Sequence, residues 1–411
     1  MNYYIGIDLG TSSCKGILLN RNGAVLADHS VNYPVSTPYT NWSEQDPADW
    51  YKATVEILKV LSEGREESVK GVGIAGQMHG LVMLDEHDEV IRPAILWNDG
   101  RSAPQTAYLN SLGTLPTLTG NIAFPGFTAP KILWVKENEP ENFAKAKKIC
   151  LPKDYLAYKL TGVFSSEYSD AAGMLLLDVQ NKCWSPEMCE ICGITVDMLP
   201  TLFESYEATG KLKAEYSLPN AILCAGAGDN AGAAVGTNTL RDGDCSISLG
   251  TSGTIFLPCD EFNTECGTAL HNFAHANGKF HLMGCILSAA SCNKWWIRDI
   301  LDTHYCDPAE PDYGKIGVYF LPYLTGERCP HNDVNARGAF IGLSMNTTRE
   351  DMSLSVLEGV AFAIRDSFEV AKSLGISIPR SNLCGGGAKS PLWRKIFANV
   401  LGIPLDMVKT E

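Results

Sequence analysis

The chain has 411 residues, of which 45% are apolar and 19% charged, an ordinary globular composition at a length that suits two hydrophobic cores better than one. Its formal net charge of −14 disfavours polyanionic partners such as nucleic acid. The sequence shows neither a signal peptide nor a run of 18 apolar residues, so we predict a cytoplasmic protein that has no membrane partner.

The first part of the chain alternates predicted strands with a helix. Apolar runs predict strands at Tyr3–Leu9, Lys15–Leu19 and Ala24–Ala27, with an Asn-Gly turn before the third. An aspartate followed by a proline then predicts the start of a helix over Ala48–Ser62. Val69–Ala75 is predicted as a further buried strand. This order of elements indicates an α/β fold.

The beginning of this pattern recurs 240 residues later in the chain. Residues 247–253 repeat residues 7–13 with five of seven positions identical, and both segments end an apolar strand. A long amphipathic helix and a strand that leads into a glycine-rich loop, residues 385–390, follow the second copy. We therefore predict two related α/β lobes with a ligand cleft between them. The predicted N-terminal lobe spans residues 1–240 and the predicted C-terminal lobe spans residues 241–411.

Each copy of the repeat ends in a turn of small residues. These residues are Gly10, Thr11 and Ser12 in the first copy and Gly250, Thr251 and Ser252 in the second. Glycine permits close approach of a phosphate, and successive N–H groups and hydroxyls supply donors to phosphate oxygens. One such turn alone would favour an ordinary hairpin. Two copies at matching places in two similar lobes favour a clamp for phosphate groups.

The two copies differ at one informative position, where Asp8 aligns with Ser248. Magnesium keeps most of its waters and takes one or two carboxylates together with phosphate oxygens. We therefore predict that Asp8 is a catalytic residue that holds Mg²⁺ through water. The alternative is an aspartate that only caps the turn.

A segment of small residues, 225–232, contains a single acid, Asp229. Transfer of a phosphoryl group to an alcohol needs a carboxylate that accepts the hydroxyl proton, and we predict that Asp229 is this base. A role as N-cap of the following helix is compatible with that chemistry.

Two other segments give weaker signals. The loop 385–390 includes Gly386, Gly387 and Ala388 and lacks the spacing of a P-loop, but its position predicts packing against adenosine. Met78 and His79 follow a predicted strand and offer apolar surface and a polar donor to a sugar, although a lone histidine is more often structural.

Two polar groupings have simpler interpretations. Asp99 and Arg101 lie in a cluster that begins at Trp97, and a plain salt bridge explains them as well as a site does. Cys189 and Cys192 form the one CxxC pair among fourteen cysteines, and no second ligand pair follows at a spacing typical of zinc. We prefer a structural role for this pair, because scattered cysteines in a reducing compartment usually behave as small apolar residues.

Several segments resemble the FGGY carbohydrate kinases, and within that family the xylulokinase branch. Residues 126–135 and 338–343 look like the two family signatures, and residues 76–80 look like the sugar-binding segment of that branch. Similar segments are also found at 42–47, 96–99, 151–155, 169–173 and 324–328. The resemblance covers essentially the whole chain.

The resemblance implies two ribonuclease-H-like lobes of the actin-like ATPase type and phosphorylation of D-xylulose by Mg-ATP. By position, Asp229 would accept the proton and Asp8 would act at Mg-ATP. The implied sugar contacts are Met78, His79, Asp229 and Asn230. Family members continue beyond the position of Glu411, so the resemblance also implies a chain shortened at its C-terminal end, whose own activity needs a direct assay.

Two alternatives stay open at this point. The chain could phosphorylate a different ketose or polyol, because a few side chains in the pocket decide between epimers. It could also be a non-catalytic sensor of sugar or nucleotide, or an actin-like assembly module. The sequence does not determine the oligomeric state, and a homodimer is compatible with it.

Overall fold

The computed structural model describes residues 1–264, 269–303, 316–333 and 335–408. The chain divides into two compact units. The first contains Met1–Ala233 with Phe273–Lys279, and the second contains Ala234–Asn272 with Phe280–Glu411. The predicted division at residue 240 stays a prediction, and residues 409–411, where the predicted C-terminal lobe ends, lie outside the described residues.

The segment of residues 1–228, which lies within the first unit, contains fifteen strands. They are β1 (Tyr3–Leu9), β2 (Ser13–Asn20), β3 (Val25–Asn32), β4 (Glu44–Gln45), β5 (Val69–Gly76), β6 (Val82–Leu84), β7 (Ala94–Ile95), β8 (Lys148–Cys150), β9 (Ser165–Glu167), β10 (Leu177–Asp178), β11 (Cys183–Trp184), β12 (Thr201–Phe203), β13 (Ala208–Lys211), β14 (Ile222–Cys224) and β15 (Ala227–Gly228). Its α-helices are α1 (Pro47–Ser62), α2 (Ala103–Ser111), α3 (Leu115–Thr119), α4 (Thr128–Asn138), α5 (Pro140–Lys145), α6 (Pro152–Thr161), α7 (Tyr168–Ala171) and α8 (Pro186–Cys192).

The rest of the chain contains eight strands and four α-helices among the described residues. The strands are β16 (Ser246–Leu249), β17 (Gly253–Cys259), β18 (His271–Ala274), β19 (Phe280–Ile286), β20 (Tyr319–Leu321), β21 (Ala339–Ile341), β22 (Ser381–Cys384) and β23 (Leu405–Met407). The helices are α9 (Asp229–Gly236), α10 (Ala290–Lys294), α11 (Arg349–Ser373) and α12 (Pro391–Leu401). Short 3₁₀ segments occur at Glu66–Ser68, Ala172–Met174, Val196–Met198, Ala214–Tyr216 and Gly386–Lys389, and Trp295–Ile300 is a π-helix.

Local sequence signals explain where the first elements begin and end. Strand β1 occupies the predicted range and buries alternate side chains, as expected for a strand. Helix α1 begins as predicted, because the Asp46 carboxylate accepts the Ala48 N–H and proline occupies the first turn. The prediction for the third strand was too short, because β3 continues to Asn32 as a polar, exposed edge strand.

The two units share a strand order. In the first unit β14, β5, β1, β2 and β3 are neighbours in that order, and in the second unit the order is β23, β22, β16, β17 and β19. The first three strands of each series are parallel to one another, and the last two run antiparallel to their neighbours. The long helices α1 and α11 occur at corresponding points in the chain, since α1 precedes β5 and α11 precedes β22. The shared order confirms the predicted α/β fold with two related, sheet-cored units.

Each unit has its own apolar core. The first core includes Ile5, Ile7, Trp50 and Ile57 from the sheet and α1. The second includes Ile247, Val360 and Trp393 from β16, α11 and α12. Across the part of the chain that the structure describes, no helix combines the length and apolarity needed to span a bilayer.

Candidate active site

Three parallel strands of the first unit end side by side. Strand β5 pairs with β1 on one side, where Ala75 is opposite Asp8, and with β15 on the other, where Gly76 is opposite Gly228. Because the carboxyl ends of parallel strands form one edge of a sheet, the segments that follow these strands gather there. The structure therefore brings together four sequence-predicted residues from distant parts of the chain, namely Asp8, Met78, Asp229 and Asn230.

Asp229 is the first residue of α9 and is half-buried. Its Oδ1 atom accepts the backbone N–H of Asn230 at 2.7 Å and the side-chain amide of Asn230 at 3.0 Å. Burial raises the pKa of Asp229 to about 7; the backbone N–H of Asn230 opposes this rise, and the negative charge of Asp8 adds to it. A carboxylate with a pKa near neutrality is well suited to accept a proton from an alcohol.

Asp8 faces Lys15 across the β1–β2 pair and keeps an exposed side chain. Neighbouring protein atoms displace part of the water around the carboxylate, and this desolvation raises the pKa of Asp8. The positive charge of Lys15 opposes that rise. Among the described residues no hydrogen bond or ion pair engages its carboxylate, and no group of three or more potential metal ligands occurs. An exposed carboxylate of this kind suits a hydrated Mg²⁺ better than a cation stripped of its water.

Met78 lies against the segment that carries the predicted base. It is 4% exposed, and its sulfur lies 3.8 Å from the side-chain nitrogen of Asn230. A Cβ atom added to Gly228 would lie 3.1 Å from the Met78 sulfur, so the glycine permits this close packing. The sequence prediction that Met78 and Asn230 share one site is consistent with this contact.

His79 is held more rigidly than a side chain that moves to bind a sugar would be. Its backbone has a left-handed φ of 67°, and its Nδ1 atom lies 2.8 Å from the carbonyl oxygen of Gly173. Its own carbonyl accepts hydrogen bonds from Thr128 and Lys131. At 6% exposure, the imidazole can offer only a small part of its surface to a ligand, and its sugar contact stays a prediction.

The first Gly-Thr-Ser turn is tied to its surroundings through its carbonyls. Tyr33 donates to the Gly10 carbonyl at 2.6 Å, and the Gln45 amide donates to the Thr11 carbonyl at 2.6 Å. The Thr11 hydroxyl donates to Gln77 at 3.1 Å, so its proton is already committed. The Gly10 N–H also donates within the turn, to the Ser13 carbonyl at 3.0 Å. Donors for a phosphate would therefore be the N–H groups of Thr11 and Ser12 and the hydroxyl of exposed Ser12.

Trp97 is a residue of this region that the sequence did not assign to the site. Its indole nitrogen donates to the Thr11 hydroxyl at 2.9 Å, and the side chain is 36% exposed. It joins the turn after β1 to a segment 86 residues further along the chain. The only sequence signal was a tryptophan directly after the short apolar run that contains β7, and such a signal does not identify the partner.

The nucleotide segments predicted in the second unit also lie together. Strand β16 is parallel to β22, with Ser248 opposite Cys384, so the turn after one strand lies beside the loop after the other. Gly385 has a φ of +86°, and a Cβ atom there would lie 2.8 Å from the Leu249 backbone. Only a glycine therefore allows the loop to approach the strand that carries the second Gly-Thr-Ser turn.

Within these segments the residues differ in exposure. Thr251 and Gly386 are exposed, Gly250 and Ser252 are partly buried, and Gly387 and Ala388 are buried. The Thr251 carbonyl accepts hydrogen bonds from Ala289 and from the Ser291 hydroxyl. Nucleotide contacts at these positions stay a prediction, and burial leaves Gly387 and Ala388 a supporting role under the exposed Gly386.

The structure contains the salt bridge that the sequence allowed for Asp99 and Arg101, whereas the role of the cysteine pair stays a prediction. Asp99 and Arg101 form a buried ion pair, with Nη2 and Oδ2 at 2.7 Å, and the Arg101 guanidinium stacks on Trp42. Cys189 and Cys192 are buried in α8, and neither belongs to a metal-ligating group among the described residues.

The shared strand order, with glycine-rich turns after corresponding strands, describes a protein built from two sheet-cored α/β domains. Residues 3–236 match the N-terminal domain of the FGGY family of carbohydrate kinases, and residues 245–411 match the C-terminal domain. The chain belongs to this family and is therefore an ATP-dependent sugar kinase.

Individual proteins of known kind show which kinases the chain is similar to. The chain is 44% identical to a xylulose kinase of Klebsiella pneumoniae, an alignment that covers 98% of this chain and 86% of that protein. A solved structure described as a xyloylose kinase from Brucella ovis has a TM-score of 0.94 and 40% identity and covers all of this chain and 87% of its own. A gluconate kinase from Lactobacillus acidophilus has a TM-score of 0.92 and 27% identity over all of this chain and 86% of its own.

Proposed function

We propose that the chain transfers the γ-phosphoryl group of ATP to the 5-hydroxyl of D-xylulose, giving D-xylulose 5-phosphate and ADP. The observation that carries this proposal is the half-buried Asp229 carboxylate, with a pKa near neutrality, at the strand edge that also presents Asp8. The similarity to xylulose kinases supports the choice of substrate.

In the proposed reaction Asp229 accepts the hydroxyl proton as the sugar oxygen bonds to the γ-phosphorus. The bond from that phosphorus to the β,γ-bridging oxygen breaks, and ADP leaves with the electron pair. Because the alcohol becomes acidic only as it bonds to phosphorus, a carboxylate is a sufficient base. Met78, His79 and Asn230 would hold the ketose beside this carboxylate.

The nucleotide would be held through backbone N–H groups and hydroxyls of the two Gly-Thr-Ser turns, with Gly386, Gly387 and Ala388 beside the adenosine. Residues 10–12 and 250–252 would carry the phosphate contacts, in line with their positions after β1 and β16. Asp8 would hold Mg²⁺ through water. When bound, this ion neutralises charge on the phosphate oxygens.

The substrate is tested by a panel of sugars with Mg-ATP, in which release of ADP is followed by a coupled assay. The panel contains D-xylulose, D-ribulose, D-fructose, gluconate and glycerol. We expect the highest kcat/KM for D-xylulose. Gluconate is the informative competitor, because a gluconate kinase shares this fold at 27% identity. A preference for gluconate would exclude D-xylulose as the main substrate. No turnover with any sugar would contradict a catalytic role for this chain.

We expect kcat/KM for D-xylulose to increase with pH until about pH 7 and then to level off. The base acts only in its deprotonated form, and burial raises the pKa of Asp229 to about 7. Below this value kcat/KM should fall about tenfold per pH unit, because it reports ionisation of the free enzyme. Initial rates between pH 5 and pH 9 measure the profile. A profile that is flat from pH 5 upward would contradict the assignment of the titrating group.

A further inference from the structure

A buried ionic network lies behind the segment that leads to Asp229. It consists of Lys153 on α6, its neighbour Asp154, Glu167 at the end of β9, and Asp170 on α7, and each side chain is at most 1% exposed. The Lys153 ammonium lies 2.8 Å from Asp154 and 3.9 Å from both Glu167 and Asp170. Burial of charge is costly and is tolerated only with good pairing, so the network invites a functional explanation.

Two hydrogen bonds connect this network to the backbone just before Asp229. Lys153 donates to the carbonyl oxygen of Ala225 at 3.3 Å, and the Gly228 N–H donates to the Ser169 hydroxyl at 3.1 Å. Ser169 in turn donates to Glu167 at 2.9 Å. The network therefore holds both ends of the four-residue approach to the predicted base.

Glu167 is the centre of this arrangement. Its carboxylate accepts the backbone N–H groups of Ser169 and Asp170 at 2.7 Å and 2.8 Å, and the Ser205 hydroxyl at 2.7 Å. The Ser205 carbonyl also accepts the N–H of Gly226 at 3.1 Å. Three residues of the approach, Ala225, Gly226 and Gly228, are thus bonded to the network or to one of its partners.

The approach is also packed closely against β5 and Met78. Gly226 has a φ of +84°, and a Cβ atom there would lie 2.0 Å from the carbonyl oxygen of Ile74 on β5. A Cβ atom on Gly228 would lie 3.1 Å from Met78. The same Cβ atom on Gly226 would lie 3.3 Å from the Lys153 side chain. Because β5, Met78 and the network all contact this segment, the backbone that carries Asp229 has little room to move.

We propose that Lys153, Glu167 and Ser169 form a positioning network that fixes the Asp229 carboxylate for proton transfer, with the Ser169 hydroxyl as its last link. None of the three needs to touch the substrate, because each acts through the backbone that precedes Asp229. Displacement of a reacting group by about 1 Å can cost a factor of about 100 in rate. The proposal rests on the proposed role of Asp229 as the base.

The test compares Ser169→Ala with Ser166→Ala. Ser166 is a matched control, because it lies three residues earlier and is buried, and its hydroxyl has no hydrogen-bond partner among the described residues. We expect Ser169→Ala to lower kcat by about 10- to 100-fold with the Kd for ATP unchanged. Ser166→Ala should keep kcat within about twofold of the parent. Ser169→Thr, which retains the hydroxyl, should recover most of the lost kcat.

A second variant, Ser205→Ala, removes a hydrogen bond from the other Glu167 oxygen and should lower kcat in the same direction. It keeps the test decisive if Ser169→Ala does not fold. Unchanged kcat in Ser169→Ala or in Ser205→Ala, or an equal loss in Ser166→Ala, would overturn the positioning role. If Asp229→Ala itself retained ordinary turnover, the proposed function would fail instead, so the two failures are distinguishable.

Discussion

Replacement of Asp229 by alanine is expected to lower kcat by about three orders of magnitude or more, with little change in the affinity for ATP. The substitution removes the carboxylate that would accept the hydroxyl proton and leaves the nucleotide segments in place. Asp229→Asn should give a similar loss, because an amide keeps the shape of the side chain but cannot accept the proton. Steady-state kinetics with D-xylulose and calorimetric binding of ATP measure the two quantities.

Asp178 provides a matched control for this experiment. Like Asp229, it is partly exposed and accepts both the backbone and the side-chain amide of one asparagine, here Asn181 at 3.0 Å and 2.8 Å. It lies on β10, outside the sheet that ends at the proposed site. Asp178→Ala should leave kcat within about twofold of the parent. Ordinary turnover in Asp229→Ala, or a comparable loss in Asp178→Ala, would remove Asp229 from the role of base.

The sequence was sufficient to predict the elements that repeat or that carry strong local signals. Segments 7–13 and 247–253 are so similar that they predicted two related units, and the strand order confirms them. The Asp-Pro start of α1 was also predictable, because a helix cap depends only on residues that are close together in the sequence. Asp8 and Asp229 were each predicted from their own segments, whereas their meeting at one edge of the sheet comes from the parallel pairing of β1, β5 and β15 in the structure.

The rest depended on contacts between residues far apart in the chain. Trp97 bonds to Thr11 across 86 residues and Lys153 bonds to Ala225 across 72 residues, and no local pattern records such pairings. The role of His79 shows the same limit, because its ring orientation depends on Gly173. Periodicity predicts which side chains are buried, but not which buried polar groups are partners.

Replacement of Lys153 by methionine is expected to destabilise the protein by about 3–5 kcal/mol, because it leaves the carboxyls of Asp154, Glu167 and Asp170 buried without their cation. Burial alone would lower the pKa of Lys153, but the three carboxylates outweigh it and raise that pKa. A lysine whose pKa is raised by folding contributes stability at every pH below its unfolded pKa. The parent protein therefore keeps this contribution in full between pH 5 and pH 9.

The variant should lose stability with increasing pH more steeply than the parent does. Burial already raises the pKa of Asp170, against the opposing charge of Lys153, and removal of that charge raises it further. The folded variant then retains protons that the unfolded chain releases above about pH 4, so its stability declines with rising pH.

The deficit relative to the parent should be larger at pH 8 than at pH 5, and the double variant Lys153→Met/Asp170→Asn should recover part of it. Urea unfolding at both pH values, with hydrogen exchange of α6 as the local readout, measures the deficit. An equal deficit at the two pH values, or no recovery in the double variant, would mean that the buried carboxyls are not what Lys153 stabilises.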